Sequence, residues 1–179
     1  MAFDRAGWLP GVRREPSPNC DARPPLAVDL LVIHNISLPP GEFGSGDVFA
    51  LFSNRLDTTR HPFYREIGGL RVSAHFVIER DGRVTQCVSI FERAWHAGVS
   101  SWRGRARCND FSVGVELEGS DDQAFTDDQY AALERLAAQL VAALPLRAAA
   151  GHSDIAPGRK TDPGPHFDWG RLTVVERQV

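Results

Sequence analysis

The sequence predicts a mixed α/β domain: a central sheet with one long helix on a face and smaller helices elsewhere. Three segments carry that prediction. Leu30-Leu31-Val32-Ile33-His34 is a continuous apolar run ending in a histidine, the pattern of a strand buried on both faces. Phe111 to Leu117 alternates, with Phe111, Val113, Val115 and Leu117 on one side and Ser112, Gly114 and Glu116 on the other. Asp127 to Leu144 repeats apolar residues at helical spacing. The chain has 179 residues, which suits one domain able to bury a core without staples.

The elements follow in order. Residues 1–25, with Pro10, Pro16, Pro18, Pro24 and Pro25, read as an irregular N-terminal arm packed over the domain formed by 26–179. After the first strand, Ser37 to Gly41 is a loop, and residues 47–55 form a short helix with Val48, Leu51 and Phe52 on one side. Residues 56–70 lack a period and read as a long loop able to act as a lid. Ser73–Arg80 and Arg83–Val88 make a hairpin about the turn signal Asp81-Gly82. Residues 93–110 are irregular. Thr126 and Gln129 form a capping box for the long helix, Tyr130, Leu133, Leu136, Ala137, Leu140 and Leu144 are its apolar stripe, and Pro145 stops it. A shorter helix follows Asp168.

Twenty Lys and Arg against 23 Asp and Glu give a net charge of −3, without the basic surplus that nucleic acid or an anionic membrane surface requires. No apolar run reaches membrane-spanning length. The N-terminal residues lack the apolar region of a secretory signal, and Cys20, Cys87 and Cys108 can neither all pair nor form a CxxC. The expected setting is the cytoplasm, and the expected state a monomer.

The segment Gly151 to Gly164 is dense in glycine, proline and ionisable groups, as loops that host active sites are. Gly158-Arg159-Lys160-Thr161 imitates the end of a phosphate-binding loop but lacks its spacing, with Ser153 where a glycine is needed. A metal reading fares better. His34 ends a buried strand, and His152 and Asp162 flank the loop. Two imidazoles and a carboxylate suit a catalytic zinc ion with its fourth position left to water. The competing reading is a satisfied core histidine, since six histidines are present. His61 and His166 sit beside prolines as surface residues, His75 packs within the hairpin, and His96 beside Trp95 can line a groove. Glu116 shares a strand face with Gly114, which leaves room beside it; otherwise it is an exposed sheet-face glutamate, as Glu118 is expected to be. Lys160 is either a loop lysine or an oxyanion partner.

Leu31 to Gly41, Arg93 to Ser100, Cys108 to Ser112, Gly114 to Gly119 and Gly151 to Pro165 together resemble the cytoplasmic anhydro-N-acetylmuramoyl-L-alanine amidases. The similarity runs in order from about Gly7 to Trp169. It implies the fold shared with phage-type amidases and peptidoglycan recognition proteins, one Zn²⁺ on His34, His152 and Asp162, and catalysis by Glu116 and Lys160. It implies substrate contacts at Asn35, Arg71, Trp95 and Arg107. The implied reaction cleaves the amide between anhydro-N-acetylmuramic acid and L-alanine of muropeptides in cell-wall recycling, which also restrains β-lactamase induction. Many relatives in the wider group carry Tyr where this chain has Ala74, and Cys as the third ligand where it has Asp162. The competing functions are a secreted or phage-type lytic amidase and a muropeptide-binding domain without catalysis. Both are disfavoured: the first needs a leader or anchoring module, and the second commonly loses a ligand.

Overall fold

The computed structural model describes residues 2–178. In chain order its elements are β1 (Arg13–Arg14), β2 (Cys20–Ala22), β3 (Leu30–Ile36), α1 (Asp47–Phe52), α2 (Pro62–Ile67), β4 (Phe76–Ile78), β5 (Val84–Gln86), β6 (Glu92–Ala94), β7 (Ser101–Trp102), β8 (Arg105–Ala106), β9 (Ser112–Glu118), α3 (Asp127–Ala143), β10 (Ala148–Gly151) and α4 (His152–Ile155). A run such as Leu30-Leu31-Val32-Ile33 has no polar side to give to water, so it needs a neighbour on each flank and cover on each face. β3 has both: the sheet order is β1-β5-β4-β9-β3-β10, with β9 and β10 pairing parallel to it. β4 is also parallel to β9, and within this six-stranded sheet only the β4–β5 pair is antiparallel.

Side-chain alternation sorts the two faces. Leu31, Ile33, Val113, Val115 and Leu117 join Tyr130, Leu133, Leu136, Ala137 and Leu140 of α3 in the larger apolar cluster. Leu30 and Val32 face the other way, with Ala148, Ala150, Phe111 and Ile155. Phe111 thus lies outside the strand and across the sheet from Val113, because β9 begins only at Ser112. α3 starts at the expected capping box: Thr126 Oγ1 accepts from Gln129 N at 3.1 Å, and Gln129 Oε1 accepts from Thr126 N at 3.1 Å.

Four expectations change. The N-terminal arm is not wholly irregular: β1 extends the sheet beside β5, β2 pairs with β6, and Leu9 sits in the main core. Strands of two or three residues carry no readable period. The Gln86 side chain anchors the arm, accepting from Leu9 N at 2.7 Å and donating to Gly7 O at 2.8 Å. Residues 56–70 are not all loop: α2 has His61 as N-cap and Pro62 at its first position, where the missing N–H costs nothing. Tyr64 is buried, and its hydroxyl donates to Asp47 Oδ2 at 2.7 Å, which packs this stretch against α1. Residues 93–110 contain β7 and β8 and the end of β6, and a single helical turn at His152–Ile155 opens the glycine-rich segment. At the far sheet edge the C-terminal segment runs beside β10: Ala149 N donates to Glu176 O at 2.8 Å and Gln178 N to Ala149 O at 2.9 Å.

Thr126 also donates to the Arg80 carbonyl, tying α3 to the hairpin. Thr126→Ala is expected to cost about 1 kcal/mol of stability, the usual size of a lost N-cap. Urea unfolding of the two proteins checks this, and an unchanged midpoint contradicts it.

Candidate metal centre and active site

Parallel pairing sets β3 against β9 with His34 opposite Glu116. Side chains directly opposite in neighbouring strands point to the same face, so these two stand side by side. On the other flank Gly151 pairs with Ile33, which delivers His152, the next residue, to the end of the same strand. Asp162 returns through the loop after α4, held where Ser153 N donates to the Asp162 carbonyl at 2.8 Å. A Cβ on Gly151 would lie 2.8 Å from Pro163 Cδ, so only glycine lets this loop close on the strand end. The groups meet at the carboxyl ends of parallel strands, the usual location of sites in open α/β sheets.

His34 Nδ1 lies 3.0 Å from His152 Nδ1 and 3.0 Å from Asp162 Oδ2, and His152 Nδ1 lies 3.1 Å from the same oxygen. His152 Nε2 faces the Ala97 carbonyl at 3.1 Å. A carbonyl only accepts, so the neutral ring carries its proton on Nε2 and turns the Nδ1 lone pair to the centre. Two imidazole nitrogens and one carboxylate oxygen converging at about 3 Å fit a metal ion of zinc's preferences. Burial holds His34 down at about 4, against the opposing influence of the adjacent Asp162 carboxylate. Burial alone would raise Asp162, but its contacts with His152 and His34 outweigh it and hold the carboxyl below its ordinary value.

Glu116 has the opposite fate. It is buried, and its Oε2 has no hydrogen-bond partner among the described residues. Burial pushes its carboxyl well above the ordinary value; the Asp162 charge adds to this and the Lys160 charge opposes it. An orphaned buried carboxylate oxygen beside three converging donors marks a place for something that brings a proton.

The triad, Glu116, Lys160 and Asn35 line one cleft of about 340 Å³, walled on its apolar side by Leu51, Phe52, Phe63, Ile67 and Leu70. A second, polar cleft of about 600 Å³ adjoins it and shares Asn35, Lys160 and Asp162. Asn35 Nδ2 is used within the protein, on Asp121 Oδ1 at 2.7 Å and Pro163 O at 3.1 Å. The structure does not bring Arg71, Trp95 or Arg107 into the walls of the first cleft. Arg71 is exposed, with Nη1 on the Leu70 carbonyl. Trp95 is half-buried, its backbone N–H on Ser73 Oγ. Arg107 is exposed, with Nε 3.1 Å from Asp110 Oδ2.

Two expectations are corrected. Gly114 makes room for His96 rather than Glu116: a Cβ there would lie 2.4 Å from His96 Cγ. Glu118 is buried rather than exposed, accepting from Gly44 N at 2.5 Å and Arg80 N at 3.3 Å. His96 does line the cleft, but the sequence did not reveal that its Nδ1 stands 2.9 Å from His34 Nε2. The one signal available was Gly114 in mid-strand, which marks a close approach.

Fold and site define a hydrolase of mixed α/β architecture. A sequence profile described as N-acetylmuramoyl-L-alanine amidase matches residues 24–165. The 1,6-anhydro-N-acetylmuramyl-L-alanine amidase AmpD of Escherichia coli K12 is 55% identical over 172 residues, 94% of each chain. A crystal structure of a selenomethionine AmpD derivative superposes with a TM-score of 0.92 at 52% identity, covering 96% of this chain and 97% of that one. The E. coli amidase AmiD, solved with anhydro-N-acetylmuramic acid-L-Ala-D-γ-Glu-L-Lys, superposes with a TM-score of 0.60 at 31% identity, over 84% of this chain and 57% of that one. The chain belongs to the N-acetylmuramoyl-L-alanine amidase family. It is an enzyme that hydrolyses an amide of peptidoglycan.

Burial also holds His75 and His96 well below the ordinary imidazole value. With His34 they fold as neutral rings, so their stabilisation is present above about pH 6.5 and is lost as pH falls. The raised Glu116 acts in the opposite sense, losing stability as pH rises, but it is one proton against three. Without metal ions, the protein is therefore expected to lose stability as pH drops below about 6.5, by up to about 1.4 kcal/mol per pH unit for each proton taken up on unfolding. Thermal unfolding from pH 7 to pH 4.5 measures this, and a flat Tm contradicts it.

Proposed function

We propose that this chain is a zinc-dependent amidase of cytoplasmic muropeptide recycling, cleaving the bond between the lactyl group of anhydro-N-acetylmuramic acid and L-alanine. By lowering the muropeptide pool it restrains β-lactamase induction. The observation that carries the catalytic reading is the pairing of His34 with Glu116, which sets a buried carboxylate beside three convergent metal donors. The two adjoining clefts add support. One has an apolar wall and the other is polar, and they meet at Asp162, as a substrate joining a sugar to a peptide requires. Among the described residues, no helix is long and apolar enough to cross a membrane.

His34 Nδ1, His152 Nδ1 and Asp162 Oδ2 are the atoms that would hold the zinc. Zinc bound there supplies a Lewis acid and lowers the pKa of a coordinated water to about 7. Glu116 takes a proton from the attacking water and returns one to the leaving nitrogen; its raised affinity for protons suits both acts. Lys160, exposed at the junction of the clefts, gives its ammonium to the oxyanion of the tetrahedral intermediate. Asn35 sits at the same junction. Arg71, Trp95 and Arg107 lie beyond the cleft walls. There the arginines offer planar donors to stem-peptide carboxylates, and Trp95 an apolar face.

Mass spectrometry of an anhydromuropeptide incubated with purified protein is expected to show free stem peptide, and an intact substrate overturns the reading. Glu116→Gln is expected to lose about 10²–10⁴-fold in kcat while keeping its metal. Lys160→Ala is expected to keep metal and lose rate, because oxyanion stabilisation acts in the transition state. Asp162→Ala is expected to lose the metal itself. Elemental analysis beside turnover rates separates these outcomes, and full activity without bound metal contradicts the zinc assignment.

A further inference from the structure

We infer that His96 is a positioning residue that holds His34 in the ring tautomer able to present Nδ1 to a metal ion, through a hydrogen-bond chain directed by the Cys108 carbonyl. The inference rests on the metal reading of His34, His152 and Asp162.

The chain is read from its fixed end. The Cys108 carbonyl oxygen can only accept, and Ser112 Oγ lies 2.6 Å from it, so the hydroxyl proton is committed there. Ser112 Oγ is also 3.1 Å from His96 Nε2 and must accept from it. His96 therefore carries its proton on Nε2, and a neutral ring with one N–H leaves Nδ1 bare. That bare Nδ1 lies 2.9 Å from His34 Nε2 and takes its N–H. His34 is left with its lone pair on Nδ1, the atom 3.0 Å from both His152 Nδ1 and Asp162 Oδ2. The reverse direction fails. It needs a bare His96 Nε2 facing a serine oxygen whose proton is already given away, and both residues are buried.

The ring is also held in place mechanically. Gly114 leaves the space that His96 fills, since any Cβ there would meet the ring. The backbone N–H groups of His96 and Ala97 both donate to Asn109 Oδ1, at 3.1 and 2.8 Å. Ala97 then offers its carbonyl to His152 Nε2 at 3.1 Å and to Arg159 Nη2 at 2.7 Å. One dipeptide thus addresses the outer nitrogen of both metal-facing rings, by side chain for His34 and by carbonyl for His152. Partners in this outer position orient metal ligands and are commonly worth about 10–100-fold in metal affinity.

Three variants and two readouts test the inference. Long-range ¹H–¹⁵N spectra of the metal-free protein are expected to show His96 as the Nε2–H tautomer and His34 with a bare Nδ1. Chelator competition is expected to show zinc bound about 10–100-fold more weakly by His96→Leu, which has no acceptor. His96→Asn, whose amide oxygen can replace Nδ1, is expected to recover most of that loss, a rescue that simple filling of space would not give. Ser112→Ala removes the director and is expected to produce mixed His96 tautomers; it also covers the case in which His96→Leu does not fold. A wild-type His96 protonated on Nδ1, a leucine variant with unchanged zinc affinity, or an unmixed tautomer in Ser112→Ala overturns the inference. A wild-type protein that binds no zinc overturns the metal reading instead, and the metal-free spectrum still judges the chain.

Discussion

The site depends on the parallel register of β3 and β9. His34 meets Glu116 only because Leu30 meets Ser112 four residues earlier, and every pair between them is in step. A slip by one residue would turn His34 onto the face covered by α3 and bring Leu31 or Ile33 to the cleft. That slip is opposed by the whole apolar division of the sheet, since Leu31, Ile33, Val113, Val115 and Leu117 would leave the core together. The packing that stabilises the fold is therefore the same packing that aligns the chemistry.

Two carboxylates lie within one small region and are driven in opposite directions. Asp162 is held ionised by two imidazoles, whereas Glu116 is buried with an unpartnered oxygen and driven toward its neutral form. Environment assigns the roles: a group that stays charged is suited to hold a cation, and one that gains a proton readily is suited to transfer it. Lys160 moderates this division, because its charge opposes the rise at Glu116.

The strong periods were legible: β3, β9 and α3 with its capping box follow from patterns of four or more residues, and the hairpin from its Asp81-Gly82 turn. The residues of the candidate centre were legible as types, and their convergence at about 3 Å fits that reading. What escaped depends on contacts distant in sequence. β1 and β2 are too short to have a period. α2 has a histidine cap, which lies outside the usual Ser, Thr, Asp and Asn signal. Glu118 looked like a surface acid because its partners, Gly44 and Arg80, come from other segments. His96 was read as a groove residue because nothing near Trp95 reveals a neighbour 62 residues away.

The two ends of the sheet have a consequence of their own. A sheet edge is a row of unpaired backbone donors and acceptors, open to pairing with another molecule. Here β1 lies along one edge and presents the exposed Arg13 and Arg14, while residues 176–178 run beside β10 at the other. Neither segment reaches the cleft, and neither has a period that would predict it. Each leaves a neighbouring chain little bare strand of β5 or β10 to extend. A tag joined close after residues 176–178 would need a linker long enough to leave that pairing undisturbed.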